Sequence, residues 1–193
     1  MTMTNNSCGL NQAAEAYYAT FRGILKRMIC GMTNASLTDS ISHNFIVQMI
    51  PHHRAAIQMS RNILIYTANQ TLQDIASNII TEQTKSIENM LSVEQCCSAC
   101  TNAAQSLRSY QCQMDRIMQN MFSEMRRACT TNRISCDFMR EMIPHHEGAV
   151  KMSETTLHSK ICPELTPILE AIITSQKKGI AEMQSLLQEL ECA

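Results

Sequence analysis

The strongest constraint on this fold is an internal repeat with an offset of 93 residues. The segment Ile41–Ser60 reads ISHNFIVQMIPHHRAAIQMS, and Ile134–Ser153 reads ISCDFMREMIPHHEGAVKMS, with eleven of twenty positions identical and no gap. The same offset pairs residues on both sides of these segments: Tyr17 with Tyr110, Met28 with Met121, Gln83 with Gln176, and Met90 with Met183. Duplicated units usually bury each other's apolar faces. We therefore expect a single domain over residues 1–193, with repeats at about 11–95 and 105–193 joined by a cysteine-containing linker at 96–104.

Helix is the secondary structure that the composition favours. Only 5 Gly and 4 Pro occur in 193 residues, too few to punctuate a fold of many strands. Each repeat reads as three helices, at about 11–32, 39–69 and 72–93, and again at about 105–129, 132–159 and 164–191. We expect an all-α protein whose second and third helices form one four-helix core, with extra Met-rich helices beside it. Pro51 and Pro144 fall inside the second helices and are expected to kink them.

Several classes of function are disfavoured by the sequence. Lys and Arg total 16 against 17 Asp and Glu, and the absence of a basic stripe argues against nucleic acid as a partner. No nucleophile elbow, P-loop or dinucleotide glycine motif is present, so no enzyme is predicted. A di-iron bundle needs duplicated Glu-x-x-His pairs, whereas Glu141 is matched by Gln48 in the first repeat.

The cellular location is predicted from the hydrophobic segments. No apolar run approaches the roughly 18 residues of a membrane span, and the first residues do not resemble a signal peptide. If the sequence is the full gene product, the protein is expected to be cytoplasmic. The alternative is the mature form of an exported protein.

The duplicated motif places soft metal ligands on one stripe of each second helix. Met49, His52 and Met59 are spaced by one and two helical turns, and Met142, His145 and Met152 repeat this pattern. His53 and His146 follow directly, about 100° round each helix. Thioether and imidazole groups together suit Cu(I). The alternative interpretation is a buried polar cluster, in which the histidines bond to helix carbonyls that proline has freed.

Other sulfur and imidazole groups leave two interpretations open. His43 and Cys136 occupy equivalent positions and are either further soft-metal ligands or ordinary residues at a helix start. Four methionines at helical spacing precede the second motif and suit either a core or a ligand stripe: Met114, Met118, Met121 and Met125. Cys96, Cys97 and Cys100 have no counterpart at the 93-residue offset, so a disulfide, an accessory metal site and idle thiols are all open. If the protein is cytosolic, most of its 10 cysteines should be reduced.

At these residues the chain resembles the family called domain of unknown function 305. The duplicated Met49–Met59 and Met142–Met152 segments match its Met-Ile-x-His-His-x-x-Ala-x-x-Met pattern, and a Gln-x-x-x-Ile-x-x-Met pattern follows each from Gln83 and Gln176. The resemblance covers roughly residues 39–190. It implies a ferritin-like four-helix bundle, and it implies copper because some members are exported copper-binding proteins.

Two departures from the family pattern weaken any hard-metal or proton-transfer interpretation. Ser86 and Gly179 stand where the family usually has Glu, and Ser42 and Ser135 stand where it often has Asp. Carboxylates are the ligands that hard cations prefer. Soft ligands therefore remain the basis of the functional prediction.

The sequence thus predicts a protein that binds a copper ion for sequestration, tolerance or transfer. The predicted ligands are His52, His53, His145, His146, Met49, Met59, Met142, Met152, His43 and Cys136. The alternative is a structural or protein-interaction bundle without metal. Whether the chain forms a homo-oligomer or meets a metal-transfer partner protein is left open.

Overall fold

Six α-helices build the protein in a computed structural model that describes residues 9–128 and 130–192. No strand occurs in these ranges, so the all-α prediction is confirmed. The helices are α1 Gln12–Thr33, α2 Ile41–Ile63, α3 Gln70–Ser98, α4 Ala104–Arg127, α5 Ile134–Leu157 and α6 Thr166–Glu189. A short 3₁₀ turn, Pro163–Leu165, precedes α6.

The four helices α2, α3, α5 and α6 lie at the centre, and each is amphipathic or almost wholly buried. Within a repeat, α2 packs on α3 and α5 packs on α6. Between repeats, α2 packs on α5 and α3 packs on α6, while α1 and α4 cover the outer sides of α2 and α5. Buried apolar residues from both repeats form one cluster. The two repeats therefore share one core.

The helix ends differ from the expected ones in two places. Helix α2 ends at Ile63 instead of near residue 69. Asn69 instead caps the start of α3, where its side chain accepts a hydrogen bond from the Leu72 backbone N–H. Helix α3 runs on to Ser98, so Cys96 and Cys97 lie in its last turn rather than in a linker. Pro51 and Pro144 both lie inside continuous helices.

The methionine stripe of α4 belongs to the core. Met114, Met118, Met121 and Met125 are all buried. Met121 lies directly against Gly148 of α5, where an added Cβ would come within 2.9 Å of its Cγ. The absence of a side chain at Gly148 thus allows α4 to approach α5 closely.

Candidate metal centre

Two histidines meet at the contact between α2 and α5. The His52 and His145 rings are stacked with centroids 3.6 Å apart, and both side chains are fully buried. His52 Nε2 lies 3.1 Å from the backbone carbonyl oxygen of His145, and His145 Nε2 lies 3.2 Å from that of His52. The two residues are 93 positions apart, which is the repeat offset. The two contacts are reciprocal, so an approximate two-fold axis relates the repeats at this point.

These contacts fix the protonation of both rings. A carbonyl oxygen can only accept, so Nε2 must carry the hydrogen and donate it. In a neutral imidazole the other nitrogen, Nδ1, then keeps a free lone pair. Nδ1 of His52 and of His145 is buried and meets no hydrogen-bond partner within the described residues. Metal-binding histidines characteristically donate their second N–H to a backbone carbonyl in this way.

The bonded carbonyls are not those that the structural alternative anticipated. Proline lacks a backbone N–H and leaves unpaired the carbonyl four residues earlier, which for Pro51 is that of Val47. The acceptors are instead the carbonyls of the histidines themselves. The cross-repeat bonds therefore depend on how closely α2 and α5 approach, and proline does not supply the acceptors.

The outer histidines have unequal surroundings. His53 Nε2 lies 3.0 Å from the Ser86 hydroxyl of α3. The equivalent edge of His146 faces Gly179 of α6, where an added Cβ would be 3.0 Å from Cδ2 and 3.1 Å from Nε2. His146 thus meets a residue that offers no polar side chain.

Burial keeps all four motif histidines neutral. Desolvation is the main cause that lowers the pKa of His53 to about 3 and that of His145 to about 4. It also lowers the pKa of His52 and His146 well below the ordinary value. A neutral imidazole can bind a metal without first losing a proton.

The four motif methionines are buried with the histidines. Met49, Met59, Met142 and Met152 are each at most 2% exposed and belong to the shared core. Met49 precedes His52 by three residues on α2, and Met142 precedes His145 by three on α5. Thioethers therefore lie one helical turn from the stacked imidazoles in both repeats.

Two buried glutamines were not among the predicted ligands. Gln83 and Gln176 occupy equivalent positions on α3 and α6 and are at most 3% exposed. Both amide heteroatoms of Gln83 and the oxygen of Gln176 meet no hydrogen-bond partner in the described part of the chain. The sequence feature that could have identified them is that they are equivalent at the 93-residue offset. A polar group that is buried without a hydrogen-bond partner lowers stability, so these amides are candidates for contacting a bound ion or small molecule.

A cavity between α3 and α6 reaches this centre. It has a volume of about 620 Å³, and its lining includes Gln83, Gln176 and His146. The lining also contains Glu82, Glu170 and Glu182, against one lysine, Lys178. This excess of carboxylates favours the approach of a cation.

His43 and Cys136, the two further candidates, lie at the starts of α2 and α5, about two and a half turns before the stacked histidines. His43 Nδ1 is 4.0 Å from a Glu94 carboxylate oxygen. Cys136 is joined to Cys192 in a disulfide, with Cα atoms 5.8 Å apart. A disulfide sulfur is not a thiolate, so Cys136 is not a metal ligand in this form.

The disulfide also bears on location. Six other cysteines in the described ranges are thiols, but structural disulfides persist mainly in oxidising compartments. The disulfide therefore does not support the cytoplasmic expectation and fits the exported alternative. Within residues 9–128 and 130–192, no helix is both long and apolar enough to cross a bilayer.

Glu141 on α5 is a buried carboxyl group, and its burial was not predicted from the sequence. The Tyr17 hydroxyl donates to Glu141 Oε2 at 2.7 Å. Burial is the main cause that raises the pKa of Glu141 to about 8. Glu141 lies one turn before His145 and is largely protonated at neutral pH, so it brings little negative charge to the centre.

The protein is an all-helical bundle of two repeats, with histidines paired where the repeats meet and methionines buried in the same core. The chain belongs to the family described as Domain of unknown function (DUF305), whose sequence profile matches residues 42–187. The family resemblance is thereby confirmed. No curated protein sequence is similar enough to this chain to count as a match.

Solved structures with this fold include metal-bound forms. CopM in an Ag-bound form is 26% identical, with a TM-score of 0.57 over 79% of this chain and 98% of CopM. CopM in the Cu(I)-bound form is also 26% identical, with a TM-score of 0.54 over 80% of this chain and 99% of CopM. A DUF305 fragment from Deinococcus radiodurans is 21% identical, with a TM-score of 0.57 over 80% of this chain and 98% of the fragment, and this likeness concerns the fold alone.

Proposed function

We propose that this protein binds Cu(I) at the contact between its two repeats, for sequestration or transfer. The observation that carries the proposal is the pair of Nδ1 atoms on His52 and His145. Both are buried, bear a lone pair and meet no partner among the described residues. CopM, which has the same fold, has been solved with Cu(I).

The ligand set that we propose combines imidazole nitrogen with thioether sulfur. His52, His53, His145 and His146 supply nitrogen, and Met49, Met59, Met142 and Met152 supply sulfur. Such ligands suit Cu(I), whereas Ca²⁺ and Mg²⁺ take oxygen ligands.

The cavity between α3 and α6 is the proposed route to this centre. His146 lines it and links it to the stacked pair. The carboxylates Glu82, Glu170 and Glu182 lie along it and attract a cation. A protein exported in its mature form, as the Cys136–Cys192 disulfide favours, would meet copper outside the cytosol.

Replacing the four motif histidines with Gln tests the proposal. Competition with a chromophoric Cu(I) chelator should show a loss of more than about 100-fold in affinity. The matched control is His158→Gln, because His158 lies exposed at the end of α5 with its Nδ1 next to the Glu154 carbonyl oxygen. That variant should bind copper like the parent.

Thermal melts of metal-free protein distinguish the structural alternative. If the histidines only join the helices, the quadruple variant should lose about 1–3 kcal/mol for each carbonyl contact removed but keep its copper affinity. A variant that melts far below the parent and still binds Cu(I) equally well would refute the copper site.

A further inference from the structure

Four cysteine thiols converge at the end of the bundle where α3 ends and α6 begins. Cys96 and Cys97 lie in the last turn of α3, Cys100 follows in the connection to α4, and Cys162 precedes the 3₁₀ turn before α6. Cys96 Sγ and Cys162 Sγ are 3.7 Å apart. Burial, followed by hydrogen bonding with Cys162, raises the pKa of both Cys97 and Cys100. Ligand atoms of Cys96, Cys162 and Glu164 all lie within 4.8 Å of one another, and Cys97 and Cys100 lie on the same segment as Cys96.

The distance between the sulfur atoms suits a shared metal ion. Two sulfurs that each lie about 2.3 Å from one tetrahedral ion are about 3.8 Å apart. The observed 3.7 Å between Cys96 and Cys162 already matches this value. A disulfide needs about 2.05 Å, which these two sulfurs do not approach. A ligand atom of Glu164 lies within 4.8 Å of both sulfurs.

The backbone that carries the thiols is held from both sides by α2. The Ser40 hydroxyl donates to the Cys97 carbonyl oxygen at 2.7 Å, and the Ser42 hydroxyl accepts from the Cys162 backbone N–H at 2.9 Å. Asn102 joins the same segments, since its Oδ1 accepts from Ile41 N–H and its amide donates to the Lys160 carbonyl. The cluster is thus positioned before any ion arrives, which lowers the cost of binding.

Glu164 provides a polar neighbour at the solvent side of the cluster. The Cys162 thiol donates to Glu164 Oε2 at 2.8 Å. When a metal ion replaces thiol protons, those protons must leave. The carboxylate stands where it can take the proton from Cys162 and pass it to solvent, because Glu164 is exposed whereas Cys162 is fully buried.

We infer that Cys96 and Cys162, whose sulfur atoms already lie at the spacing of two ligands of one ion, form a second metal site for a thiophilic d¹⁰ ion such as Zn²⁺ or Cu(I), with Cys97 and Cys100 of the neighbouring chain segment as the further thiolates. Four thiolates are the ligand set of closed zinc sites, and thiolates also select Cu(I). The site is remote from the histidine centre and does not depend on it. By joining α3 to the segment before α6, a bound ion would cross-link the two repeats.

Protection from alkylation tests this site on the wild-type chain. The protein, purified under argon with the Cys136–Cys192 disulfide intact, is treated with iodoacetamide alone, with Zn²⁺, or with Cu(I), and each cysteine is followed by mass spectrometry. Cys96 is exposed and Cys100 partly exposed, so iodoacetamide can reach both, and both should react measurably without metal at about pH 8.5 and markedly more slowly with one of the two ions. Cys30 and Cys112 are exposed thiols on α1 and α4 and serve as internal controls that neither ion should protect.

The two metal arms identify the ion, and variants identify the ligands. Protection by Zn²⁺ alone, Cu(I) alone or both supports the site. The Cys97→Ser/Cys162→Ser double variant should lose more than about 100-fold in affinity for the protecting ion. Because those residues are buried, Cys96→Ser/Cys100→Ser is a milder second pair that should also abolish binding.

Two results would overturn the inference. One is equal alkylation of Cys96 and Cys100 with and without both ions. The other is the finding that these cysteines are joined in disulfides in the isolated protein. The variant with all four motif histidines changed to Gln should keep the protection, so failure of the copper proposal and failure of this one are separate outcomes.

Discussion

The two repeats make the same contact with different chemistry at the ends of their third helices. In the first repeat the Ser40 hydroxyl donates to the Cys97 carbonyl oxygen. In the second repeat the equivalent pair is Arg133 and Leu190, and the Arg133 guanidinium donates to that carbonyl at 2.5 Å. The start of the second helix therefore fixes the end of the third in both halves, although a short hydroxyl has been exchanged for a long cation.

At the centre of the bundle the repeats have not diverged in this way. His52 and His145 make reciprocal bonds of nearly equal length to each other's carbonyl oxygen. Each ring is bonded to the other repeat, so a change in one alters both sides of the contact. Other equivalent positions do differ between the repeats: His43 against Cys136, Gln48 against Glu141, Ala55 against Gly148, and Ser86 against Gly179.

The largest expected effect of these differences comes from the disulfide, which only the second repeat has at this position. Cys136 and Cys192 are 56 residues apart, and closing a loop of that length in the unfolded chain is worth about 4 kcal/mol in the chain-entropy description. Cys136→Ser/Cys192→Ser should lower the free energy of unfolding by about this amount in urea titrations. The control, Cys30→Ser/Cys112→Ser, alters exposed thiols and should leave stability unchanged within about 0.5 kcal/mol. Equal midpoints for the two double variants would show that the disulfide contributes nothing.

The next effect concerns Glu141 and its counterpart Gln48. The folded-state pKa of Glu141 is raised to about 8 from an ordinary value of 4.5. Between these values the unfolded carboxyl is ionised and the folded one is protonated, so its contribution to stability is largest below pH 4.5. It falls by up to about 1.4 kcal/mol per pH unit up to pH 8.

Glu141→Gln should remove this dependence. The Gln oxygen can still accept from the Tyr17 hydroxyl, but its NH₂ group replaces Oε1, which meets no partner within the described ranges. That costs about 1–3 kcal/mol. The variant should therefore be less stable than the parent at pH 5 and more stable by about 2 kcal/mol at pH 8. Gln48→Glu should add a second buried carboxyl group, so the free energy of unfolding should fall more steeply with pH than in the parent. Parallel plots of unfolding free energy against pH for all three proteins would contradict the assigned pKa.

Much of the architecture was predictable, because the repeat and the 3.6-residue periodicity of apolar residues are visible in the amino-acid sequence. The helix count followed from spacing, whereas spacing left the Met114–Met125 stripe on α4 open between core and ligands, and the structure places it in the core. Contacts between distant segments did not. No local pattern signals that His52 bonds to the carbonyl oxygen of His145, that Cys136 meets Cys192, or that Cys162 lies beside Cys96.

A smaller effect separates Gly148 from Ala55. An added Cβ at 148 would overlap the Met121 sulfur, so the Met121 side chain must shift. Overpacking costs about 1–3 kcal/mol, and replacing Gly by Ala in a helix returns about 1 kcal/mol. Gly148→Ala should thus destabilise the protein by about 1 kcal/mol in thermal melts. Ala55→Gly should cost about 1 kcal/mol through helix propensity and about 1 kcal/mol more through the loss of a buried methyl group. A Gly148→Ala variant more stable than the parent would mean that Met121 moves without cost.

The last test concerns the outer histidines and measures a rate rather than stability; it uses the two single substitutions Gly179→Ser and Ser86→Gly. The cavity that contains Gly179 has a volume of about 620 Å³, whereas the one beside Ser86 has only about 90 Å³. If copper enters through the larger cavity, Gly179→Ser should slow Cu(I) loading, because the new Cβ would press on His146 and move its ring by a few tenths of an ångström. Ser86→Gly removes the hydroxyl partner of His53, costs about 1 kcal/mol, and should leave the loading rate unchanged. Stopped-flow transfer of Cu(I) from a chelator gives the rates, and an equal slowing by both substitutions would mean that the two cavities do not differ as routes to the metal centre.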